Sequence, residues 1–175
     1  MNITIPPIDP AVLVKTFDDE RQVREYLLLS GDTGKIHVPS RKGEFYDEHS
    51  AYLECLKEHP AGRLWIPGIL VAAPAVGIFR HCFGKPGSKL FEGFLLSETM
   101  FKCPHPVFSG DTVHYVPYAP EEVRRTKQGF WNYVLIGYGA KAMNPLEGFG
   151  DFGDAGIRVI EFMLTGFVHE SFRSV

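Results

Sequence analysis

The apolar run from Leu64 to Phe79 constrains the fold most, because a helix built from it has almost no polar face. Pro67 suits the first turn of a helix and Gly84 a C-terminal cap, so the pattern predicts one helix between them. Pro74 should kink this helix or interrupt one hydrogen bond. A helix without a polar face is expected to be buried all round. Small residues that would let a neighbouring backbone approach it are Gly68, Ala72, Ala73, Ala75 and Gly77.

Strands are predicted after this helix. Four segments are rich in β-branched and aromatic residues with partial alternation: Lys89 to Lys102, Thr112 to Tyr118, Phe130 to Met143 and Ile157 to His169. Glycine-containing turn signals separate them. Long antiparallel strands wrapped on one buried helix form an α+β architecture. Since no linker, repeat or low-complexity run divides the sequence, we expect residues 1–175 to form a single domain.

The composition argues against several classes of function. A formal charge of −3 gives no sign of a nucleic-acid surface. The three cysteines show no Cys-x-x-Cys pair, so we expect reduced, mostly buried thiols. The N-terminus lacks a signal-peptide pattern and the apolar run is too short and broken to span a bilayer, so we expect a cytoplasmic protein without a membrane partner. The histidines show no metal-ligand spacing, and the sequence has no phosphate loop, nucleophile elbow or dinucleotide fingerprint.

Another helix is predicted near the N-terminus. Thr16 can serve as its N-cap, acidic residues follow in the first turn, and Ser30-Gly31 ends it. Its buried face would carry Val23, Tyr26 and Leu27. The alternative for this region is a β-hairpin, with Tyr26 to Leu29 and Ile36 to Val38 as strands. A shorter amphipathic helix is predicted over Glu48 to Glu58.

Three groups in the sequence could carry chemistry. Asp32 and His37 lie five residues apart after the N-terminal helix, and a carboxylate and an imidazole on one loop can move a proton on and off a substrate. The backbone N–H of Gly68, at the start of a buried helix, could donate to a developing oxyanion. His59 fits a surface histidine near a helix end better than a functional one.

Three separated segments resemble, in order, the motifs of a known family. Ser30 to His37 is similar to Ser-Gly-Asp-x-Asn-Pro-x-His, with Gly34-Lys35 in place of Asn-Pro. Pro67-Gly68 stands where the family's helix begins with His-Gly. Phe101 to Val113 is similar to a Phe-x-x-Pro-Val-x-x-Gly-Asp strand turn. The family is the MaoC-like hydratases, which include the (R)-specific enoyl-CoA hydratases, and the resemblance covers roughly residues 15–118.

The resemblance implies a hot-dog fold, in which a curved antiparallel sheet wraps around a long central helix. It implies that Asp32 and His37 hold and deprotonate a water that adds to an enoyl thioester, while the N–H of Gly68 polarises the thioester carbonyl. No metal or redox cofactor is expected. The expected partners are an acyl-CoA or acyl-carrier-protein substrate and further copies of the chain, in a dimer or higher homo-oligomer with the active site near the subunit interface.

Three alternatives stay open. Residues 59–70 also resemble a segment of bacterial β-hydroxyacyl-carrier-protein dehydratases, which would make His59 catalytic, although Ala73 stands where those enzymes have a glutamate. A thioesterase on the same fold would use Asp32 to direct water at the carbonyl. A non-catalytic acyl-binding subunit would stabilise an active partner.

Overall fold

A computed structural model describes residues 13–17, 20–30, 65–83, 87–118, 120–142 and 156–172. The helices are α1 (Glu20–Ser30), α2 (Gly68–His81) and α3 (Lys89–Gly93), and a 3₁₀ turn covers Glu170–Phe172. The strands are β1 (Val14–Thr16), β2 (Phe94–Lys102), β3 (Thr112–Pro117), β4 (Glu121–Arg125), β5 (Phe130–Ala142) and β6 (Gly156–His169). No helix of the described ranges has both the length and the apolarity that crossing a membrane requires.

The strands form one antiparallel sheet in the order β1-β3-β5-β6-β2. β4 pairs with residues 131–134 of β5 and β3 with residues 137–141, so these two strands follow one another along the same side of β5. Register shifts interrupt the pairing between Leu96 and Glu98 on β2 and between Gly139 and Ala140 on β5. Such irregularities bend the strands.

Helix α2 packs against one face of this sheet, contacting β2, β3 and β6. Its buried residues are Val71, Ala72, Ala75, Ile78 and Phe79. Aromatic rings extend the core beyond the helix: the ring centroids of Phe83 and Phe94 lie 4.9 Å apart, and those of Phe83 and Tyr133 lie 5.0 Å apart. The predicted α+β architecture, an antiparallel sheet packed on one central helix, is confirmed.

Burial of α2 is less complete than predicted. Ile69, Ala73, Gly77 and Arg80 are exposed and follow one another along one side of the helix. The sheet covers only the opposite side, so the expectation of a helix buried all round is wrong. The helix continues through Pro74 and ends at His81 with Cys82 as C-cap, while the predicted cap Gly84 lies outside the described residues.

Two further predictions are corrected. Thr16 is not a helix N-cap: it belongs to β1, is paired with Thr112 on β3, and the two hydroxyls lie 2.9 Å apart. Tertiary strand pairing outweighs the local capping signal at this position. The predicted strand over Lys89 to Lys102 begins only at Phe94, because Ser88 accepts a hydrogen bond from the N–H of Phe91 and caps the short helix α3.

Other expectations hold. Helix α1 ends at Ser30, with Val23 buried and Leu27 packed against the core, so residues 26–29 are helical and the hairpin alternative is wrong for them. Strands β3, β5 and β6 match the predicted segments within one residue. Strand β4 has no counterpart in the prediction, because all five of its residues are exposed and its charged sequence lacks a buried alternation. The predicted helix over Glu48 to Glu58 lies outside the described residues.

Candidate active site at the start of helix α2

The first residue of α2 is Gly68, as its sequence context predicts. Pro67 precedes it and provides no side-chain cap, while the carbonyl of Pro67 accepts the N–H groups of Leu70 at 2.9 Å and Val71 at 3.3 Å. The N–H groups of Gly68 and Ile69 donate to no other group in the described part of the chain. Because the helix dipole is positive at this end, these two donors favour a ligand oxygen that carries negative charge.

Close packing against the end of β2 explains why residue 68 is a glycine. A Cβ atom at this position would lie 2.9 Å from Sγ of Cys103 and 3.7 Å from Cε2 of Phe101. The thiol of Cys103 also donates weakly to the carbonyl of Gly68, over 4.0 Å. Cys103 keeps an exposed surface, and its partial burial raises the pKa of the thiol, which is therefore protonated at neutral pH.

Tyr115 contacts the same turn from β3. Its side chain is 1% exposed, and its hydroxyl donates to the carbonyl of Val71 over 2.6 Å. Burial raises the pKa of this hydroxyl, and the nearby Cys103 raises it further. Tyr115 therefore keeps its proton and acts as a hydrogen-bond donor to the helix.

The turn between β2 and β3 is fixed by a buried ion pair. Lys141 on β5 lies 2.7 Å from Oδ2 of Asp111 and donates to the carbonyl of Pro106 over 2.9 Å. The same Oδ2 accepts the N–H of Phe108 at 3.0 Å. This turn also reaches the residue before the α2 cap, since Ile66 donates its N–H to the carbonyl of Val107 over 2.8 Å. The Phe-x-x-Pro-Val-x-x-Gly-Asp segment thus packs beside the start of α2.

The two side chains that the sequence analysis assigns to proton transfer, Asp32 and His37, lie outside the described residues, and so does His59. Helix α1, which precedes Asp32, ends two residues before it at Ser30. Among the sequence-predicted site residues the structure describes Gly68, and it adds Cys103 and Tyr115 as neighbours. No local pattern marks those two, because each contacts α2 from a position distant in sequence.

Two other titratable side chains of the described residues, His114 and Cys82, take no part in this site. His114 alternates with the buried Val113 and Tyr115 and so points to the other face of the sheet, where burial lowers its pKa. Cys82 is buried, which raises the pKa of its thiol to about 12. Within the described ranges, no three His, Cys, Asp or Glu side chains come together as a metal site.

Comparison with solved structures supports the fold. Protein AF1124 from Archaeoglobus fulgidus matches with a TM-score of 0.50 and 17% identity, over 89% of this chain and 73% of that one. The unliganded R-hydratase PhaJ1 from Pseudomonas aeruginosa matches with a TM-score of 0.50 and 13% identity, over 89% of this chain and 77% of that one. The (R)-hydratase from A. caviae involved in PHA biosynthesis matches with a TM-score of 0.49 and 17% identity, over 88% and 89%.

This chain has the hot-dog fold. The sheet order, the packing of helix α2 against the sheet and the match to an R-hydratase over most of both chains agree with the architecture that the sequence resemblance implies. At 13–17% identity the likeness concerns the fold and assigns no residue. No family model and no curated protein matches the sequence.

Proposed function

We propose that this chain hydrates enoyl thioesters or, in the reverse direction, dehydrates 3-hydroxyacyl thioesters. The observation that carries the proposal is the N–H of Gly68 at the start of α2, which donates to no other described group. Preorganised backbone N–H groups at a helix N-terminus stabilise the negative charge that develops on a thioester carbonyl oxygen.

Each proposed residue has one role. Asp32 and His37 hold a water molecule and take its proton, and the resulting hydroxide adds to the β-carbon of the enoyl group. The electron pair of the double bond moves towards the carbonyl oxygen, where the N–H of Gly68 stabilises it. The proton then returns to the α-carbon. Water is added without any net redox change, so the reaction itself requires no redox cofactor, and the pantetheine arm arrives with the substrate, as an acyl-CoA or acyl-carrier-protein thioester.

The test combines two assays on one protein sample. With crotonyl-CoA as substrate, we expect loss of the enoyl absorbance and no release of free thiol. Asp32→Asn and His37→Ala should abolish this loss, because each removes one group of the proton-transfer pair, while His59→Ala should retain most of it. If only His59→Ala loses activity, His59 is the catalytic residue, as the resemblance to the β-hydroxyacyl-carrier-protein dehydratases implies.

The same assays separate the alternative functions. Thiol release without enoyl loss would contradict hydration and identify a thioesterase. If neither signal changes with crotonyl-CoA or with longer enoyl thioesters, the catalytic proposal fails, and binding of an acyl-CoA without turnover would then identify an acyl-binding subunit.

The proposal includes a dimer formed through β2. In the described sheet β2 is a terminal strand, and Leu95, Leu96 and Met100 on it are exposed. An exposed, partly apolar edge strand is a template for pairing with another chain. Antiparallel pairing about Met100 would bring Glu98 opposite Lys102 of the partner subunit. Sedimentation velocity should therefore show a dimer that Glu98→Lys or Lys102→Glu weakens and the double exchange restores; unchanged association in both single variants would contradict this interface.

A further inference from the structure

The first turn of α2, residues 68–71, has weak support from its own helix. Pro67 supplies no side-chain cap. Pro74 lies inside the helix and has no N–H, so the carbonyl of Leu70, four residues earlier, lacks its usual helical donor. The turn that carries the N–H of Gly68 is therefore joined to the rest of the helix by one hydrogen bond fewer than an uninterrupted helix provides.

Tyr115, on a strand of the sheet, supplies a hydrogen bond to this turn. Its hydroxyl donates to the carbonyl of Val71, the residue directly after Leu70, at the short distance of 2.6 Å. Its backbone belongs to β3, which is paired with β1 on one side and β5 on the other. The donor is thus fixed in the sheet, and the side chain is almost completely buried, so water has little access to this bond.

We propose that Tyr115 is a positioning residue for the reaction: its hydroxyl holds the first turn of α2 against β3 and so sets where the N–H of Gly68 meets the thioester carbonyl. Tyr115 is buried under the turn and acts through the helix, not on the substrate. This inference rests on the proposed role of Gly68. It adds a residue that the sequence motifs do not contain.

Removing the hydroxyl oxygen of Tyr115 tests this positioning role. Tyr115→Phe keeps the ring in the core and deletes only the donor. Tyr133→Phe is the matched control, because Tyr133 is also fully buried, on the neighbouring strand β5, but its hydroxyl donates to Glu122 on β4 over 3.3 Å and not to α2. Both variants lose one buried tyrosine hydroxyl, so a general loss of stability should affect them similarly.

Steady-state hydration of crotonyl-CoA gives the first readout. A misplacement of about 1 Å at a reacting group can cost about 100-fold in rate. A smaller displacement of the first turn should lower kcat by about tenfold in Tyr115→Phe, with KM changed by less than about twofold, because the donor matters most when charge develops on the carbonyl oxygen. Tyr133→Phe should keep the wild-type kcat. An active wild type whose kcat is unchanged by Tyr115→Phe would overturn the proposal.

A second readout needs no substrate. The sequence contains two Pro-Gly pairs, Pro67-Gly68 and Pro86-Gly87. Labelling proline carbonyls with ¹³C and glycine nitrogens with ¹⁵N therefore gives two carbonyl-filtered amide peaks, and the Gly87→Asn variant identifies which is which. Gly87 then serves as the internal control.

We expect the Gly68 peak to shift in Tyr115→Phe and to stay in place in Tyr133→Phe, with the Gly87 peak unchanged in both. A Gly68 peak that does not move in Tyr115→Phe, or moves equally in both variants, would overturn the positioning role. If the wild-type protein does not hydrate enoyl thioesters, the proposed function fails, and the Gly68 peak alone then decides whether Tyr115 sets the position of this N–H.

Discussion

Substitution of Gly68 by alanine tests both the packing and the chemistry of the candidate site. The added Cβ would lie 2.9 Å from Sγ of Cys103 and 3.7 Å from Cε2 of Phe101. Comfortable contacts between such atoms are about 3.5–4.0 Å, so the thiol or the first turn of α2 has to move by about 0.6–1.1 Å. The ring of Phe101 is at an ordinary contact distance and need not move.

The expected effect differs between stability and activity. Forcing an extra methyl group into a packed site costs about 1–3 kcal/mol of unfolding free energy. If the turn moves and not the thiol, a displacement approaching 1 Å at the oxyanion donor should lower kcat by up to about 100-fold. Gly77→Ala on the same helix is the matched control, because a Cβ there meets nothing within 4 Å and should stabilise the helix by about 0.5–1 kcal/mol.

A double-mutant cycle that combines Gly68→Ala with Cys103→Ala tests whether the clash with Sγ causes these effects. Urea unfolding and enoyl hydration are measured on each variant. The Cβ of Cys103 lies 3.8 Å from the added methyl group, so removing only Sγ relieves the clash. We expect Cys103→Ala to be active and the double variant to recover most of the activity and stability that Gly68→Ala loses. A double variant as impaired as Gly68→Ala would refute the steric reasoning, and wild-type activity in Gly68→Ala would refute the requirement that the N–H of residue 68 keep its position.

Three further predictions concern other parts of the structure. Lys141→Met should lower the unfolding free energy in urea by about 3–5 kcal/mol, because it removes the ammonium group that lies 2.7 Å from the buried carboxylate of Asp111; an effect below about 1 kcal/mol would contradict this. Alkylation of Cys103 should block hydration of enoyl thioesters, and the activity of Cys103→Ala should be insensitive to the alkylating reagent. Because the pKa of the thiol is raised, alkylation should be slow at neutral pH and faster as the pH rises. Burial lowers the pKa of His114, so the folded protein binds a proton at this side chain less well than the unfolded chain does. The unfolding free energy should therefore be highest above the unfolded pKa of about 6.5 and fall as the pH drops below it. Urea unfolding at a series of pH values should show a smaller fall in His114→Gln.

Elements with a strong local pattern were predictable from the sequence. Strand β5 carries a long alternating segment, and its observed range differs from the predicted one by a single residue. Helix α2 is marked by Pro67 and by an apolar run that contains no charged residue. Thr16 and the segment Lys89–Gly93 were assigned to the wrong element, because strand pairing at one and the Ser88 cap at the other decide the conformation. Patterns of hydrophobicity do not contain either piece of information.

The candidate site was predictable only where one short segment defines it. Gly68 could be placed at a helix start from its neighbours, and the structure confirms that position. Asp32 and His37 stay predictions. Cys103 and Tyr115 could not be found, because the first lies 35 residues from Gly68 and the second 44 residues from Val71, and nothing in the sequence around either one indicates a contact with α2.

The first turn of α2, which carries the Gly68 N–H, is therefore supported by the sheet as well as by its own helix. Pro67 provides no side-chain cap and Pro74 removes one helical bond, whereas Tyr115 on β3 and Cys103 at the end of β2 both contact the first turn. A Pro-Gly pair before an apolar helix is consequently not sufficient to place the oxyanion donor that we propose. On the proposed role of Gly68, placing its N–H also requires the hydrogen bond from Tyr115 and the space beside Cys103, so loss of that bond or filling of that space should lower turnover.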